Sequence, residues 1–188
     1  MKYRTIVADP PWTYSATKSS EYTTRTAEAH YETMSNAEIA ALPVKEWADD
    51  SAHLYLWVTN PRLYGERYSR EVQPIDILEA WGFRYVTLLT WHKPGAGMGW
   101  HFRGDTEHVL FGIRGDIKIT PDLRVSNHFD APRSRHSSKP DRFYEIVERV
   151  SPEPRLEMFA RTRRYGWDVW GNEAPTEQAS QAEMGLIA

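Results

Sequence analysis

The sequence predicts an α/β fold in which one mostly parallel β-sheet lies between two layers of helices. Short apolar runs typical of strands alternate with amphipathic segments typical of helices, and the chain contains no internal repeat. This alternation is typical of a three-layer, doubly wound sheet. The 188 residues suit one domain with a sizeable core, and eight Trp and ten Tyr residues supply rings to fill it.

The first predicted strand, at 3–8, ends at Asp9. Two consecutive prolines follow, and neither can donate an N–H group to a sheet ladder, so the chain must leave the sheet there. Further along, Ser35 and Glu38 form an S-x-x-E capping box, which predicts a short helix through Leu42.

The rest of the chain continues the alternation. A second capping box, formed by Ser138 and Asp141, predicts the start of an amphipathic helix that Pro152 stops. Two antiparallel pairings are expected around 107–119, so the sheet is predicted to be mostly parallel with an antiparallel strand. The remaining elements, in chain order, are a central strand at 52–59, a helix at 74–81, strands at 83–91 and 107–113, a short strand at 117–119, and strands at 155–160 and 167–170.

Three segments are predicted to be irregular. Residues 13–30 are polar and form a candidate lid over a substrate, and residues 120–138 show no periodicity. The glycine-rich segment 95–104 is either a merely flexible loop or a mobile loop that contacts substrate, and the residues favour neither. Residues 1–173 are predicted to form a single domain, and 174–188 a polar tail that is expected to be disordered.

Composition excludes several classes of function. The chain has no cysteine, which rules out disulfides, thiolate zinc sites and cysteine nucleophiles and fits a cytoplasmic protein. No signal peptide and no membrane span is predicted, since no apolar run is long enough. The histidines show no ligand spacing, so no metal site is expected.

Charge is distributed unevenly along the chain. The net charge is −3, but residues 131–164 hold nine basic and five acidic side chains, which leaves −7 on the remainder. Such a local basic segment is one way in which a weakly acidic protein can meet a nucleic acid. Arginines scattered over a solvated face are the competing explanation.

The stretch Asp9-Pro10-Pro11-Trp12 is the strongest candidate for chemistry. It places a carboxylate, stiff carbonyl acceptors and a large ring at the carboxyl end of a strand, where ligands bind in open α/β sheets. These groups suit a flat base that bears an exocyclic amine. The competing interpretation is a simple Pro-Pro turn, with Trp12 as a lid on the core and Asp9 as a local cap.

Ala8-Asp9-Pro10-Pro11-Trp12 also resembles the catalytic signature of adenine-N6 methyltransferases that use S-adenosylmethionine. The resemblance is to the family of the eukaryotic mRNA adenosine methyltransferase catalytic subunit and its bacterial and phage relatives, and it covers roughly 3–173. Five further stretches match family blocks in order: Tyr31-Glu32-Thr33-Met34-Ser35, Leu54-Tyr55-Leu56-Trp57-Val58-Thr59, Ser138-Lys139-Pro140-Asp141, Leu156-Glu157-Met158-Phe159-Ala160-Arg161 and Trp170-Gly171-Asn172-Glu173. The resemblance implies a Rossmann-like S-adenosylmethionine-dependent methyltransferase fold, in which the catalytic motif precedes the cofactor strand.

The resemblance also implies roles for individual residues. Asp9 and the Pro10 carbonyl would accept the two N6 hydrogens of adenine while Trp12 stacks on the base, and the methyl group would transfer directly, in line. Asp9 would either take the departing proton late or only stabilise charge. The cofactor would be held by Asp9, Lys139, Phe159, Arg161, Arg164, Asn172 and Glu173, with Lys139 facing its carboxylate.

The partner is expected to be a nucleic acid, with DNA favoured and RNA as the alternative. The residues expected to touch it are Trp100, His101, Arg103, Arg133 and Arg135. A catalytically inactive nucleic-acid-binding subunit and a methyltransferase for a small molecule or a protein amide are the other hypotheses. The chain could act as a homodimer or as a heterodimer with a related subunit.

Overall fold

The computed structural model describes residues 1–13, 33–63, 72–95, 97, 101–133 and 138–171. Its strands are β1 (Tyr3–Ala8), β2 (Ala48–Val58), β3 (Arg84–His92), β4 (Thr106–Arg114), β5 (His128–Asp130), β6 (Arg155–Met158) and β7 (Trp167–Trp170). Its helices are α1 (Asn36–Ala40), α2 (Val44–Trp47), α3 (Pro74–Ala80) and α4 (Asp141–Val150), with single 3₁₀ turns at Asn60–Arg62 and Pro121–Leu123.

The seven strands form one sheet in the order β5-β3-β4-β2-β1-β6-β7. Six of them run parallel to one another, and β4 alone is antiparallel to both of its neighbours, β2 and β3. The predicted mostly parallel sheet with an antiparallel strand is therefore confirmed. Because β4 is reversed, its amino end lies beside the carboxyl ends of the other six strands, at what we call the carboxyl edge.

Alternating side chains on the central strands divide the core into two layers. Ile6, Leu54 and Leu56 face the layer that contains residues of α1, α2 and α3. Val7 and Tyr55 face the opposite layer, which contains the buried face of α4. Because successive side chains of each strand point to opposite faces, both faces of the sheet are apolar and pack against helices. The three-layer α/β architecture is therefore confirmed.

Several boundaries differ from the predictions. The Ser35–Glu38 capping box is formed, but α1 ends at Ala40, and α2 follows Pro43 where only a stop was predicted. Strand β2 begins at Ala48, four residues early, because a polar stretch hides its start from an apolar pattern. The strand predicted at 117–119 is absent, and β5 lies instead within the segment predicted to be irregular. Only the middle residue of β5 is buried, so it carries no periodic signal.

The second predicted capping box is also wrong. Pro140, not Ser138, is the N-cap residue of α4, and it makes no side-chain cap hydrogen bond. Asp141, which was expected to close the box, is instead ion-paired with Arg164, with its Oδ1 2.5 Å from the guanidinium. The predicted lid, apart from Thr13, and the predicted tail at 174–188 lie outside the described residues. Within the described chain, no helix combines the length and the apolar character that a membrane crossing needs.

His53 is a buried polar residue in β2, and its environment is sensitive to pH. Its side chain is 1% exposed, and its Nδ1 lies 2.7 Å from Ser151 Oγ, which also contacts the Tyr55 hydroxyl at 2.7 Å. Burial, assisted by the charge of Arg4, lowers the pKa of His53 to about 4. The folded state therefore holds a neutral imidazole at a pH where the unfolded chain has already taken up a proton.

This difference predicts a loss of stability in acid. Above pH 6.5 the imidazole is neutral in both the folded and the unfolded state. As the pH falls from 6.5 toward 4, protonation stabilises only the unfolded state. Between pH 7 and pH 4.5 we expect the free energy of unfolding to fall by about 2–3 kcal/mol more in the wild type than in His53→Gln. Urea unfolding at both pH values measures the difference, and His128→Gln, at an exposed position, is the control. Parallel pH curves for the wild type and His53→Gln would contradict this assignment.

Candidate active site

The carboxyl edge brings together charged residues that are far apart in sequence. Asp9 follows β1, Lys93 follows β3, and Glu107 is the second residue of β4. Lys139 lies two residues before the start of α4, and its ammonium group reaches this edge through Asp9 and Glu107. The strand order places β1 and β4 on either side of β2, so their polar ends converge on one cleft, as is typical of ligand sites in open α/β sheets.

The four side chains form a network of alternating charge. Lys139 Nζ lies 2.8 Å from Asp9 Oδ2 and 3.4 Å from Glu107 Oε2. Lys93 Nζ lies 2.8 Å from Glu107 Oε1. The Lys139 side chain is 13% exposed, and its ammonium group sits 4.8 Å from the centroid of the Trp57 ring. Two cations and two carboxylates balance each other, so the network is neutral as a unit.

Electrostatics keep both central members of the network charged. Burial by itself would lower the pKa of Lys139, but Asp9 and Glu107 outweigh it and raise the pKa. Burial would raise the pKa of Glu107, but the ammonium groups of Lys139 and Lys93 hold it below its usual value. A buried charge of this kind persists only because its partners are within contact distance.

Asp9 is anchored through one oxygen and remains partly open to solvent. Lys139 Nζ contacts Oδ2, and the Asp9 side chain is 40% exposed. The Pro10 carbonyl accepts a hydrogen bond from the Trp12 N–H (2.9 Å), which leaves one of its two lone pairs. The carboxylate and the carbonyl that were predicted to hold an amine are therefore adjacent and stiffly mounted.

The neighbouring segment is tied to this motif through the backbone. The N–H of Met34 donates to the Pro11 carbonyl (2.8 Å), and the N–H of Thr13 donates to the Met34 carbonyl (3.1 Å). Trp12 is 4% exposed, and its indole N–H donates to the Trp57 carbonyl (3.2 Å). The structure thus gives Trp12 the place of a core lid, and its stacking on a base stays a prediction.

A second polar cluster lies at α4 and β6. Burial and the Glu157 carboxylate raise the pKa of Tyr144, whose hydroxyl donates to Glu157 Oε1 at 2.5 Å. Burial also raises the pKa of Glu157, against the opposing effects of Tyr144 and Arg164, while the nearby Asp9 carboxylate raises it further. The Arg164 guanidinium lies 4.0 Å from the centroid of the Tyr144 ring. Arg164 is therefore close to the cleft, as predicted, but is already bound to Asp141.

The end of β6 is held in an unusual backbone conformation. Phe159 has a φ of +63°, which only a small share of non-glycine residues adopt. Its N–H donates to the Trp170 carbonyl (2.6 Å), its ring packs against Trp170 at 5.4 Å, and a Cβ at Gly171 would lie 2.9 Å from the Phe159 Cα. Contacts on several sides therefore fix this turn beside the cleft. Arg161 follows it on the surface, and Asn172 and Glu173 lie outside the described residues.

The residues predicted to touch nucleic acid lie near one another where they are described. His101 and Arg103 are exposed in the β3–β4 connection, beside the fully exposed Phe102. Arg133 approaches the same connection and donates to the Gly104 carbonyl (3.1 Å). Trp100 and Arg135 lie outside the described residues. The structure thus brings three of the five together on one rim, and their binding role stays a prediction.

Sequence reasoning missed four residues of the cleft: Lys93, Glu107, Tyr144 and Glu157. Glu107 was assigned only as the start of a strand, because its partner Lys139 is distant in sequence. The available signal was the position of each charged group: Lys93 and Glu107 stand at the ends of apolar strands that the topology turns toward one edge. Glu157 occupies a polar position between two buried residues of β6.

Removal of the central cation tests the network. Lys139→Met leaves Asp9 and Glu107 partly buried and short of a counter-charge, and we expect the free energy of unfolding to fall by about 3 kcal/mol. Lys139→Arg should lower the free energy of unfolding by less, because it keeps the positive charge. Urea unfolding at pH 7 measures both, and the exposed Lys118→Met should stay within about 0.5 kcal/mol of the wild type. A Lys139→Met variant as stable as the control would show that the network is not coupled.

The chain is similar to several known methyltransferases. The Type II methyltransferase M.MunI of a Mycoplasma species is 29% identical over 203 aligned positions, which cover 99% of this chain and 84% of that protein. An N(6)-adenosine-methyltransferase MT-A70-like protein of Drosophila melanogaster is 29% identical over 92% of this chain and 27% of its own length. The human N(6)-adenosine-methyltransferase catalytic subunit METTL3 is 26% identical over 92% of this chain, which spans 28% of it. The MT-A70 family model matches residues 3–173, and the chain belongs to the MT-A70 family.

Proposed function

We propose that the chain transfers a methyl group from S-adenosylmethionine to the N6 amine of adenine in DNA. The observation that carries this proposal is the Asp9 carboxylate, which Lys139 anchors by Oδ2 while the side chain stays 40% exposed. An anchored acceptor beside a free carbonyl lone pair matches the two hydrogens of an exocyclic amine.

The residues of the cleft fit the proposed cofactor. S-adenosylmethionine carries a carboxylate and an ammonium group, and the cleft offers an ammonium from Lys139 and carboxylates from Asp9 and Glu157. The rings of Phe159 and Trp170 form an apolar wall at the end of the cofactor strand, where a nucleoside could pack. When bound, the cofactor supplies an electrophilic methyl group.

The proposed role of the chain is to prepare the amine and to stabilise the charge that develops on it. The N6 lone pair is delocalised into the ring, so free adenine is a poor nucleophile. Asp9 Oδ1 and the Pro10 carbonyl would accept one N–H each, which favours a geometry in which the lone pair points out of the ring plane. Positive charge on the nitrogen would then develop beside a carboxylate whose position is already fixed.

DNA is proposed as the substrate on grounds of similarity. The alignment with the Type II methyltransferase M.MunI covers 84% of that protein, whereas the chain spans about a quarter of the N(6)-adenosine-methyltransferases. In a duplex the target base would have to be flipped out of the stack, at a cost of a few kcal/mol. RNA is the second candidate, since those longer relatives are named for adenosine methylation.

Substitution of Asp9 tests the proposal. Asp9→Asn keeps the shape of the side chain but removes one charge-assisted acceptor, and we expect the rate of methyl transfer to fall by about 100-fold or more. Labelled S-adenosylmethionine is incubated with matched single-stranded DNA, duplex DNA and RNA, and the modified base is identified by mass spectrometry. Asp122→Asn, at an exposed position, is the control.

The outcomes separate the alternatives. Methylation of adenine N6 in DNA that is lost in Asp9→Asn supports the proposal. Methylation of RNA alone would identify RNA as the substrate in place of DNA. Methyl on glutamine or asparagine of a protein, with none on nucleic acid, would assign a different reaction. Binding of nucleic acid without any methyl transfer by the wild type would identify an inactive binding subunit and reject the enzyme.

A further inference from the structure

A cavity of about 350 Å³ lies on the α4 face of the sheet, away from the ion network. Its inner wall is apolar and includes Tyr55, Leu89, Phe111, Ile146 and Val150. Its volume falls within the range of small-molecule sites, which are concave, mostly apolar and supplied with a few polar groups. The cavity therefore has the dimensions and the lining of a ligand site.

The cavity is distinct from the cleft that holds Asp9. Ile146 and Val150 contact it from the second half of α4, whereas Lys139 precedes the first residue of that helix. The ten residues of α4 span about 15 Å at 1.5 Å per residue. Val86, near the start of β3, also lines the cavity, while Lys93 in the ion network follows the end of the same strand.

Charge is distributed asymmetrically around the cavity. The charged side chains that line it are Lys118 and Arg124, both at exposed positions on the segment that follows β4, and no acidic side chain lines it. Lys118 also lies 3.2 Å from Asp116, in a pair that is open to solvent. The charged side chains that line the cavity are therefore both positive and both at the rim.

The inner end of the cavity is polar but uncharged. His53 lines it, and the Nε2 of this buried ring has no hydrogen-bond partner among the described residues. Because the pKa of His53 lies near 4, the imidazole is neutral at physiological pH. An anionic group would thus find attraction at the rim and none at the base.

We propose that this cavity binds a small apolar molecule that ends in an anionic group, such as a medium-chain carboxylate or an aryl sulfonate. The apolar body lies against Phe111, Leu89 and α4, and the anion lies at the rim with Arg124 and Lys118. The molecule would also cover Val86, which is 44% exposed at the mouth. Burial of apolar surface supplies the affinity, and the rim charges set the orientation and the preference for acids.

Binding of two probes tests the proposal on the full chain. 1-Anilinonaphthalene-8-sulfonate is titrated by fluorescence, and decanoate is then used to displace it, with decanol as the uncharged match. We expect one saturable site per chain, displacement by decanoate, and displacement by decanol at least 5-fold weaker. Val86→Trp, at the mouth, should weaken binding of the dye by at least 10-fold. Val125→Trp, also at the mouth, is a second variant that should obstruct the cavity. Thermal unfolding confirms that each variant is folded.

The charge preference is tested separately. Arg124→Glu combined with Lys118→Glu should weaken the binding of decanoate by at least 10-fold and leave the binding of decanol unchanged. Arg142→Glu, on the exposed side of α4, is the control and should change the affinity for neither compound. Dye binding that does not saturate, or that survives both tryptophan variants, would overturn the site. Decanol that binds as tightly as decanoate would overturn the anionic class. Neither readout involves methyl transfer, so the result is independent of the proposed function.

Discussion

The buried ammonium group of Lys139 is the interaction on which the rest of the carboxyl edge depends. It contacts carboxylates from β1 and β4 while its own chain leads into α4, so a single cation joins three separate elements. Desolvation penalises every member of such a network, and only close contact between opposite charges offsets that penalty. The Asp9 carboxylate can stand as an acceptor at the edge of the core because the Lys139 ammonium group contacts its other side.

The reversal of β4 supplies the second half of that network. In a wholly parallel sheet, the position next to β2 would present a strand's carboxyl end at this edge. Here it presents an amino end, so Glu107 enters the cleft directly after an exposed loop. The same reversal brings His101 and Arg103 to the rim, and the surface predicted to meet nucleic acid is thereby continuous with the charge network.

Sequence patterns predicted those features that depend on local chemistry. Two prolines after a strand can only end it, which identified Asp9, and a dense run of apolar and aromatic residues at 52–59 predicted β2. The last seven residues of β2 are buried in the structure. Features decided by distant partners were missed. Asp141 has the spacing of a capping box, but in the structure it pairs with the distant Arg164 guanidinium. The three residues of β5 have no sequence pattern of a strand and form one because β3 offers them hydrogen bonds. Glu107 belongs to the site only because the topology turns β4 around.

The backbone bridge between Trp12 and Met34 has a consequence for how such a protein can vary. Residues on both sides of the 14–32 segment are fastened at one point next to Asp9, so the fold specifies where that segment leaves and returns and places little demand on its length. Loop-closure entropy grows slowly, by roughly 0.6 kcal/mol for each doubling of length. Insertions and deletions between Thr13 and Thr33 are therefore expected to leave the sheet and the position of Asp9 undisturbed. The bridge thus makes the geometry around Asp9 independent of the length of the chain between its two ends.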